Sequence, residues 1–196
     1  VQTLDNINNE YLWKDYTYFS SQSSVVLEHF SDFVNYIHES LGVLTETNVL
    51  DIGSNDGSLL MQFKIRGASV IGIDPSDTVI KEADKKGIHT FHGLFNESCT
   101  RNEFKNQKFN IITAFNVFAH SADMRGMLSG VKQLLSSNGH FIFEVQYLSD
   151  ISNKHIMGTF FHEHMVHYSY ISACKFLQTK DLQIVNYQRN NIQNGS

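Results

Sequence analysis

Short apolar runs that alternate with segments of helical period constrain this sequence more than any other feature. Four runs have the length and content of buried strands, namely Val49–Ile52, Val70–Ile73, Phe109–Phe115 and Phe141–Val145. The segments between them carry apolar residues three or four positions apart, which is the spacing of one helix face. Strands that alternate with helices pair in parallel and take helices on both faces. The sequence therefore predicts an α/β fold with a doubly wound, mostly parallel sheet.

Weaker signals extend this pattern towards both ends of the chain. Apolar residues recur at helical spacing from Val26 to Leu41, which predicts a helix that Ser24 caps and Gly42 ends. We also expect two helices and two further strands, at Met124–Leu135, Ile171–Leu177, His89–Phe91 and Leu182–Tyr187. The leading residues are polar and aromatic without periodicity. We therefore predict an arm over residues 1–22 and one domain over residues 23–196.

Charge and apolar content argue against several classes of partner. The net charge is −5, and Lys and Arg form no basic stripe of the kind that binds nucleic-acid phosphates. No apolar run approaches the roughly 20 residues of a membrane span, and the start of the chain does not resemble a secretory signal. Cys99 and Cys174 are far apart and form neither a CxxC motif nor a disulfide pattern. We expect a cytoplasmic protein that acts on a small molecule, with neither nucleic acid nor membrane as a partner.

A glycine-rich turn follows the first predicted strand, in the run Asp51-Ile52-Gly53-Ser54-Asn55-Asp56-Gly57. Glycines let the backbone approach a ligand, and the following helix offers free N–H groups. The dinucleotide fingerprint G-x-G-x-x-G fails, because Asn55 stands where its second glycine belongs. The acid followed by Gly53-x-x-x-Gly57 resembles motif I of class I methyltransferases, whose cofactor is S-adenosylmethionine. The resemblance implies cofactor contacts at Asp51, Gly53, Ser54, Asn55 and Gly57, with Asp51 towards the ammonium of the methionine part.

A second acid follows the second predicted strand. Asp74 lies 21 residues after Gly53 and is followed by Pro75. An acid at this distance meets ribose hydroxyls in related sheets, because a carboxylate can accept two hydrogen bonds from a cis-diol. Many methyltransferases contact adenine after the third strand, where this chain has Gly93, Leu94 and Phe95. We expect Asp74, Pro75, Leu94 and Phe95 to bind the nucleoside part of the cofactor.

Further stretches narrow the resemblance to one family. In order along the chain they are Tyr16–Ser21, Thr113–His120, Phe143–Tyr147, Phe161–His164 and Asn194–Ser196. Together with the glycine turn they resemble the nucleotide-sugar C-methyltransferases of deoxysugar biosynthesis, over nearly the whole chain. The runs Asn116–His120 and His162–His164 are the most specific parts, and Asn116 joins the expected cofactor contacts. The resemblance implies a nucleotide-linked keto sugar as substrate.

The same resemblance carries expectations about what surrounds these residues. Members of this family begin with a cysteine-rich zinc segment and continue into a C-terminal domain. We therefore expect the chain to be a fragment of a longer enzyme, without a metal in this segment and without the last strand of the sheet. Two positions depart from the family: Phe161 stands where tyrosine is common, and Gln146 stands where proline is frequent.

Histidines supply the expected catalytic groups. A new carbon–carbon bond requires a carbon nucleophile, which a base can create beside a ketone if the developing enolate is stabilised. Histidine suits the base because its pKa lies near neutrality. We predict His164 as base, Glu163 as the group that orients or charges it, and His120 as the enolate stabiliser. A helical zinc motif H-E-x-x-H is not formed, since Val166 follows His162 by four positions.

Tyr18, Phe161 and His162 are the expected substrate contacts. We expect Tyr11, Trp13 and Phe19 of the arm to serve in packing. Three alternative functions remain: an O- or N-methyltransferase with the same cofactor site, a nicotinamide-dependent oxidoreductase or epimerase, and a non-catalytic cofactor-binding domain. The failed glycine fingerprint and the lack of Tyr-x-x-x-Lys disfavour the nicotinamide alternative.

Overall fold

The computed structural model describes Trp13 and residues 16–42, 44–156, 164–190 and 192. Helices and strands alternate along these residues, as the apolar pattern predicts. The helices are α1 (Ser24–Leu41), α2 (Ser58–Lys64), α3 (Asp77–Lys85), α4 (Glu97–Asn102), α5 (Met124–Leu134), α6 (Leu148–Asn153) and α7 (Tyr170–Gln178). The strands are β1 (Asn48–Ile52), β2 (Ser69–Asp74), β3 (Thr90–His92), β4 (Phe109–Phe115) and β5 (Leu135–Glu144).

All pairings in the sheet are parallel, in the order β3-β2-β1-β4-β5. The chain therefore starts in the middle of the sheet, moves outward to β3, and returns past β1 to β4 and β5. The order reverses between β1 and β4, and ligands of such sheets bind at this point, beyond the carboxyl ends of the strands. The fold confirms the predicted doubly wound, parallel α/β architecture.

Apolar residues on the two faces of the sheet belong to two separate core clusters. Leu50 and Ile112 pack with α5 and α7 on one face, whereas Val49 and Ile111 pack with α1 and α2 on the other. Neighbouring residues of a strand point to opposite faces, which explains why the central strands carry apolar residues for both faces. Helices cover both faces of the sheet, so a ligand reaches the strands at their carboxyl ends.

Helix α1 presents the apolar face that its spacing predicts, with Val26, Phe30, Val34 and Ile37 buried. The cap differs by one residue from the prediction, because the Ser23 hydroxyl accepts the hydrogen bond from the backbone N–H of Val26. The helix ends at Gly42 as predicted. None of the helices that the structure describes is long and apolar enough to cross a membrane.

The predicted sixth strand is wrong. Residues 182–190 have no regular secondary structure, although exposure alternates from Leu182 to Val185 as it would along a strand. Leu182 and Ile184 pack against the core, whereas Val185 and Tyr187 are exposed. Alternation alone does not make a strand, because a strand also needs a neighbouring backbone to pair with. Among the described residues, β5 pairs only with β4 and is an edge of the sheet.

Candidate cofactor and substrate site

A cavity of about 680 Å³ lies at the carboxyl edge of the sheet, where all five strands end. Twelve of the predicted site residues line it: Tyr18, Asp51, Gly53, Ser54, Asn55, Asp74, Pro75, Leu94, Phe95, Asn116, His120 and His164. Gly57 does not, since it caps α2 behind the turn. Phe161, His162 and Glu163 lie outside the described residues. The fold therefore brings both the predicted cofactor contacts and two predicted catalytic histidines to one cavity.

The glycine turn depends on a close approach at Gly53. Its φ is +69°, and a Cβ atom there would lie 2.3 Å from Cγ2 of Val117. Asn55 also has a positive φ, of 50°. Left-handed backbone of this kind favours glycine and, to a lesser extent, asparagine. The turn therefore requires the residue types that the sequence has, and Gly53 itself lines the cavity.

Asp74 is the buried acid at the end of β2. Its Oδ2 accepts a hydrogen bond from the backbone N–H of Asn55, and its Oδ1 accepts one from the N–H of Ser76, both at 2.9 Å. Burial raises the pKa of Asp74 to about 6, although these two donors oppose the shift. Each carboxylate oxygen has two lone pairs, so both oxygens retain capacity for ligand hydroxyls. This arrangement fits a ribose.

Asp51 is buried in the neighbouring strand end, with 3% of its surface exposed. The hydroxyl of Thr113 donates a hydrogen bond to Oδ1 at 2.6 Å. Burial, and secondarily the negative charge of Asp74, raise the pKa of Asp51 to about 7. A carboxylate that is costly to ionise in isolation favours a cationic ligand group beside it. The site therefore fits the ammonium of an amino-acid moiety.

The wall after β3 is the expected adenine contact. The N–H of Gly93 donates to the carbonyl of Asp74 at 2.9 Å, which ties this loop to the ribose site. Leu94 and Phe95 line the cavity, and the Phe95 ring also packs against Gly130 of α5. Pro75 lines the same region. An apolar wall of this kind fits a planar base.

Residues 16–20 of the arm lie across the glycine turn. Asn55 Nδ2 donates to the carbonyl of Tyr18 at 2.9 Å, and Asn55 Oδ1 accepts from the N–H of Ser20 at 3.0 Å. The hydroxyl of Ser76 donates to the carbonyl of Tyr16 at 3.0 Å. Residues 16–20 are thereby bonded to the turns that follow β1 and β2, and the Tyr18 side chain is 41% exposed at the cavity.

Three aromatic rings meet beyond β4. The rings of His120 and His164 stack with centroids 4.8 Å apart, and Trp13 stacks on His120 at 5.3 Å. Burial, and secondarily His164, lower the pKa of His120 to about 3. His120 is therefore neutral near pH 7. No group of three or more metal-ligating side chains occurs within the part of the chain that the structure describes.

An ion pair at the end of β5 was not predicted. His29 Nε2 lies 2.6 Å from Glu144 Oε2, and both residues line the cavity. Asn116 Nδ2 donates to Glu144 Oε1 at 3.3 Å. A buried acid at the end of an apolar strand was one signal for Glu144. His29 was harder to find, because it follows Val26 by three residues on the buried helix face.

Comparison with known proteins finds a matching family model and curated relatives. Residues 24–187 match the family model described as methyltransferase domain. The chain is 28% identical to the C-methyltransferase NovU of Streptomyces niveus over 195 residues, which is 97% of this chain and 46% of that protein. It is 28% identical to a ubiquinone biosynthesis O-methyltransferase of Nitrosomonas europaea over 113 residues, 56% of this chain and 48% of that protein. The chain thus spans about half the length of these curated relatives.

A solved structure with the same fold is the magnesium protoporphyrin IX methyltransferase of Synechocystis PCC 6803 with bound SAH. The TM-score is 0.65 at 19% identity, and the match covers 92% of this chain and 85% of that one. The shared feature is a parallel sheet flanked by helices. With the family match over residues 24–187, the chain belongs to the methyltransferase domain family, and its fold is that of the class I methyltransferases.

Proposed function

We propose that this domain methylates a carbon beside the ketone of a nucleotide-linked keto-deoxysugar. The observation that carries the proposal is the stacked pair of His120 and His164, which lines the same cavity as Asp51 and Asp74. A cavity with two buried acids at one side and imidazoles at the other can hold a cationic cofactor beside a base. The 28% identity to a C-methyltransferase, over 97% of this chain, supports carbon as the acceptor.

The residues of β1, β2 and β3 would hold the cofactor. Asp51 would face the ammonium, Asp74 the ribose hydroxyls, and Pro75, Leu94 and Phe95 the adenine. Gly53, Ser54 and Asn55 would form the turn that the cofactor approaches, with Gly57 supporting it from α2, and Asn116 would close the site beside β4. When bound, S-adenosylmethionine supplies an electrophilic methyl group.

The histidines would generate the nucleophile. A ring nitrogen of His164 would take the proton from the carbon beside the ketone, and Glu163 would orient or charge that ring. His120, which is neutral, would donate an N–H to an oxygen of the substrate. Tyr18, His162 and Phe161 would contact the sugar. Removal of the proton leaves its electron pair on the carbon as an enolate.

An O-methyltransferase is the second candidate, because O-methyltransferases of ubiquinone biosynthesis match up to 56% of the chain. In that reaction the base would take a hydroxyl proton. The position of the new methyl group separates the two functions. Full-length protein with 13C-methyl S-adenosylmethionine and a keto-sugar nucleotide should give a methyl carbon signal typical of a C–CH3 group. A methoxy signal would contradict the proposal.

The role of His164 is tested by proton exchange. Full-length protein with S-adenosylhomocysteine and the keto-sugar nucleotide in deuterated water should exchange the α proton for deuterium. His164→Asn should slow methyl transfer by about 10²–10⁴, which is the usual value of general base catalysis, while S-adenosylhomocysteine binding survives. His155→Asn is the matched control, since His155 is exposed. Equal turnover of the His164 variant and this control would reject His164 as base.

A further inference from the structure

We propose that His29 and Glu144 form an oxyanion subsite, in which His29 is held as a cation by Glu144 and donates its second ring N–H to the substrate oxygen that becomes negative. This role rests on the proposed function, because that reaction creates such an oxygen. It adds a catalytic residue from α1 that neither the sequence motifs nor the family match assign. Four features of the molecule support this role: the ion pair, its partial burial, the ring N–H of His29 that Glu144 does not use, and the position of the pair in the sheet.

Glu144 is fixed as an acceptor by donors from three parts of the chain. His29 Nε2 lies 2.6 Å from Oε2, Asn190 Nδ2 donates to Oε2 at 2.9 Å, and Asn116 Nδ2 donates to Oε1 at 3.3 Å. A carboxylate accepts these bonds best when it is ionised. Glu144 is therefore suited to hold His29 in place rather than to take a proton from the substrate.

This fixed charge favours the cationic form of His29. The hydrogen bond with Glu144 is the main cause that raises the pKa of His29; burial opposes it, and the charges of Glu144 and Asp32 add to it. The rings of Phe30 and Phe115 flank the imidazole with centroids 6.2 and 6.0 Å away. Among low-dielectric walls a positive charge stabilises an oxyanion more than it would in water. His120 is neutral, so it can donate an N–H to this oxygen but supplies no positive charge.

The second nitrogen of His29 is available to a ligand. An imidazolium carries a proton on both ring nitrogens, and Nε2 is used by Glu144. The described residues offer Nδ1 no hydrogen-bond partner, and the side chain lines the cavity with 16% exposed. A partly buried charged donor that has no acceptor among the described residues gains from a ligand that supplies one. An anionic oxygen is the ligand group that fits best.

The strand order places this pair on the substrate side of the cavity. Asp74 and Asp51 stand at the ends of β2 and β1, and Glu144 stands at the end of β5 with β4 between. A cofactor that spans the β3, β2 and β1 ends would direct its methionine part towards β4. Glu144 and His29 would then face the acceptor molecule. His164 would take the proton, and His29 would hold the charge that remains.

The test uses full-length protein and the keto-sugar nucleotide. His29→Gln keeps a polar side chain without the charge, and loss of one oxyanion donor lowers turnover by about 10²–10³. Binding of S-adenosylhomocysteine should stay within about twofold in this variant, which also shows that it is folded. Glu144→Gln is a second variant, and it should lower turnover in the same direction. His38→Gln is the matched control, because His38 is exposed on the same helix. A His29→Gln rate close to that of this control would overturn the subsite.

Nuclear magnetic resonance of 15N-histidine gives a readout that does not depend on turnover. In a pH titration, His29 should keep the protons on both ring nitrogens to a higher pH in the wild-type protein than in Glu144→Gln. Glu144 and Asp32 are the charged groups that act on it. Titration of His29 at the same pH in both proteins would overturn the proposal. If the wild type methylates oxygen instead of carbon, the proposed function fails, but an alkoxide is also an oxyanion. His29→Gln must then slow that transfer by the same factor, or the subsite fails as well.

Discussion

The two sides of the cavity are built in opposite ways. On the side of β1–β3, two short stretches, 51–57 and 74–76, supply the polar groups, and backbone N–H groups hold Asp74 in place. On the side of β4 and β5, the polar groups come from distant parts of the chain and meet through their side chains. His29 and Glu144, for example, are 115 residues apart in sequence. One side is therefore local in sequence, and the other exists only in the fold.

The two sides of the cavity also differ in how their ionisable groups are stabilised. Burial raises the pKa of both Asp51 and Asp74, so the ligand-free β1–β3 side resists the negative charge that a cofactor would stabilise. On the β4–β5 side the two histidines differ in charge instead: the cationic form is favoured for His29 and the neutral form for His120. A cationic ligand would therefore supply the charge that the two acids of the β1–β3 side lack. On the β4–β5 side, His29 and Glu144 already pair with each other.

The largest expected effect tests whether the β1–β3 side is divided between ribose and ammonium. Asp74→Ala removes two charge-assisted hydrogen bonds of about 1.5–3 kcal/mol each, so S-adenosylhomocysteine should bind about 10²–10⁴ times more weakly. Methylthioadenosine contains the ribose but no amino acid, and it should lose affinity similarly. Asp51→Asn should weaken S-adenosylhomocysteine only. Calorimetry measures all four affinities.

A matched control exists for Asp74 on the following helix. Asp77 is 66% exposed and does not line the cavity, so Asp77→Ala should leave both affinities unchanged. Retention of methylthioadenosine affinity in Asp74→Ala would remove the ribose assignment. Loss of methylthioadenosine affinity in Asp51→Asn would show that the two acids act as one unit.

The next effect concerns stability and pH. In the folded, ligand-free protein Asp51 holds its proton up to a pKa of about 7, whereas its ordinary value is 3.8. The folded state therefore binds more protons than the unfolded state within this window, and the contribution of Asp51 to stability falls as pH rises through it. Three pKa units correspond to about 4 kcal/mol at most.

Asp51→Asn is neutral at every pH and can still accept from Thr113. At pH 8 this variant should have a higher free energy of unfolding than the wild type, and the difference should vanish near pH 4. Urea unfolding at the two pH values measures it. Conversely, S-adenosylhomocysteine should bind the wild type more weakly as pH falls below about 7, because protonation of Asp51 competes with the ammonium. A variant that is no more stable at pH 8 would contradict the costly burial of this charge.

The β1–β3 side is well predicted from the sequence, because the residue types of a turn indicate both its backbone conformation and its local hydrogen bonds. Gly53 and Asn55 have positive φ angles where the motif requires permissive residues, and Asp74 accepts from the turn that follows it. The strands match within one or two residues, apart from the early start of β5 at Leu135. Local hydrogen bonds and apolar periodicity are properties of short segments, and short segments can be interpreted without the fold.

The other side could not be predicted in this way. His29 occupies a helix position that serves equally well for packing. No residue near His29 in sequence indicates that Glu144 is its partner. The predicted strand at Leu182–Tyr187 failed for a related reason: its alternation is real, but pairing depends on a neighbouring strand. Trp13 was expected only to pack, and the structure places it in the cavity wall, stacked on His120. Such roles depend on which residues the fold brings together.

The smallest expected effect tests whether Trp13 maintains the neutral state of His120. The two rings are nearly parallel, at 2° with centroids 5.3 Å apart, and burial is the main cause that lowers the pKa of His120. Trp13→Leu should therefore expose the imidazole and raise its pKa towards the ordinary value, as measured by histidine resonance titration. An aromatic pair contributes about 0.5–1.5 kcal/mol, so turnover should fall by about tenfold or less.

Trp13→Phe is the control for the last variant, because phenylalanine keeps a ring that can stack on His120. The arm should stay in place in both variants, since Ser20 and Tyr18 remain bonded to Asn55, and S-adenosylhomocysteine affinity should not change. If the pKa of His120 stays low in Trp13→Leu, the burial comes from His164 and the sheet instead. If cofactor affinity falls together with the pKa change, Trp13 joins the two sides of the cavity, and the division between them is less complete than their construction suggests.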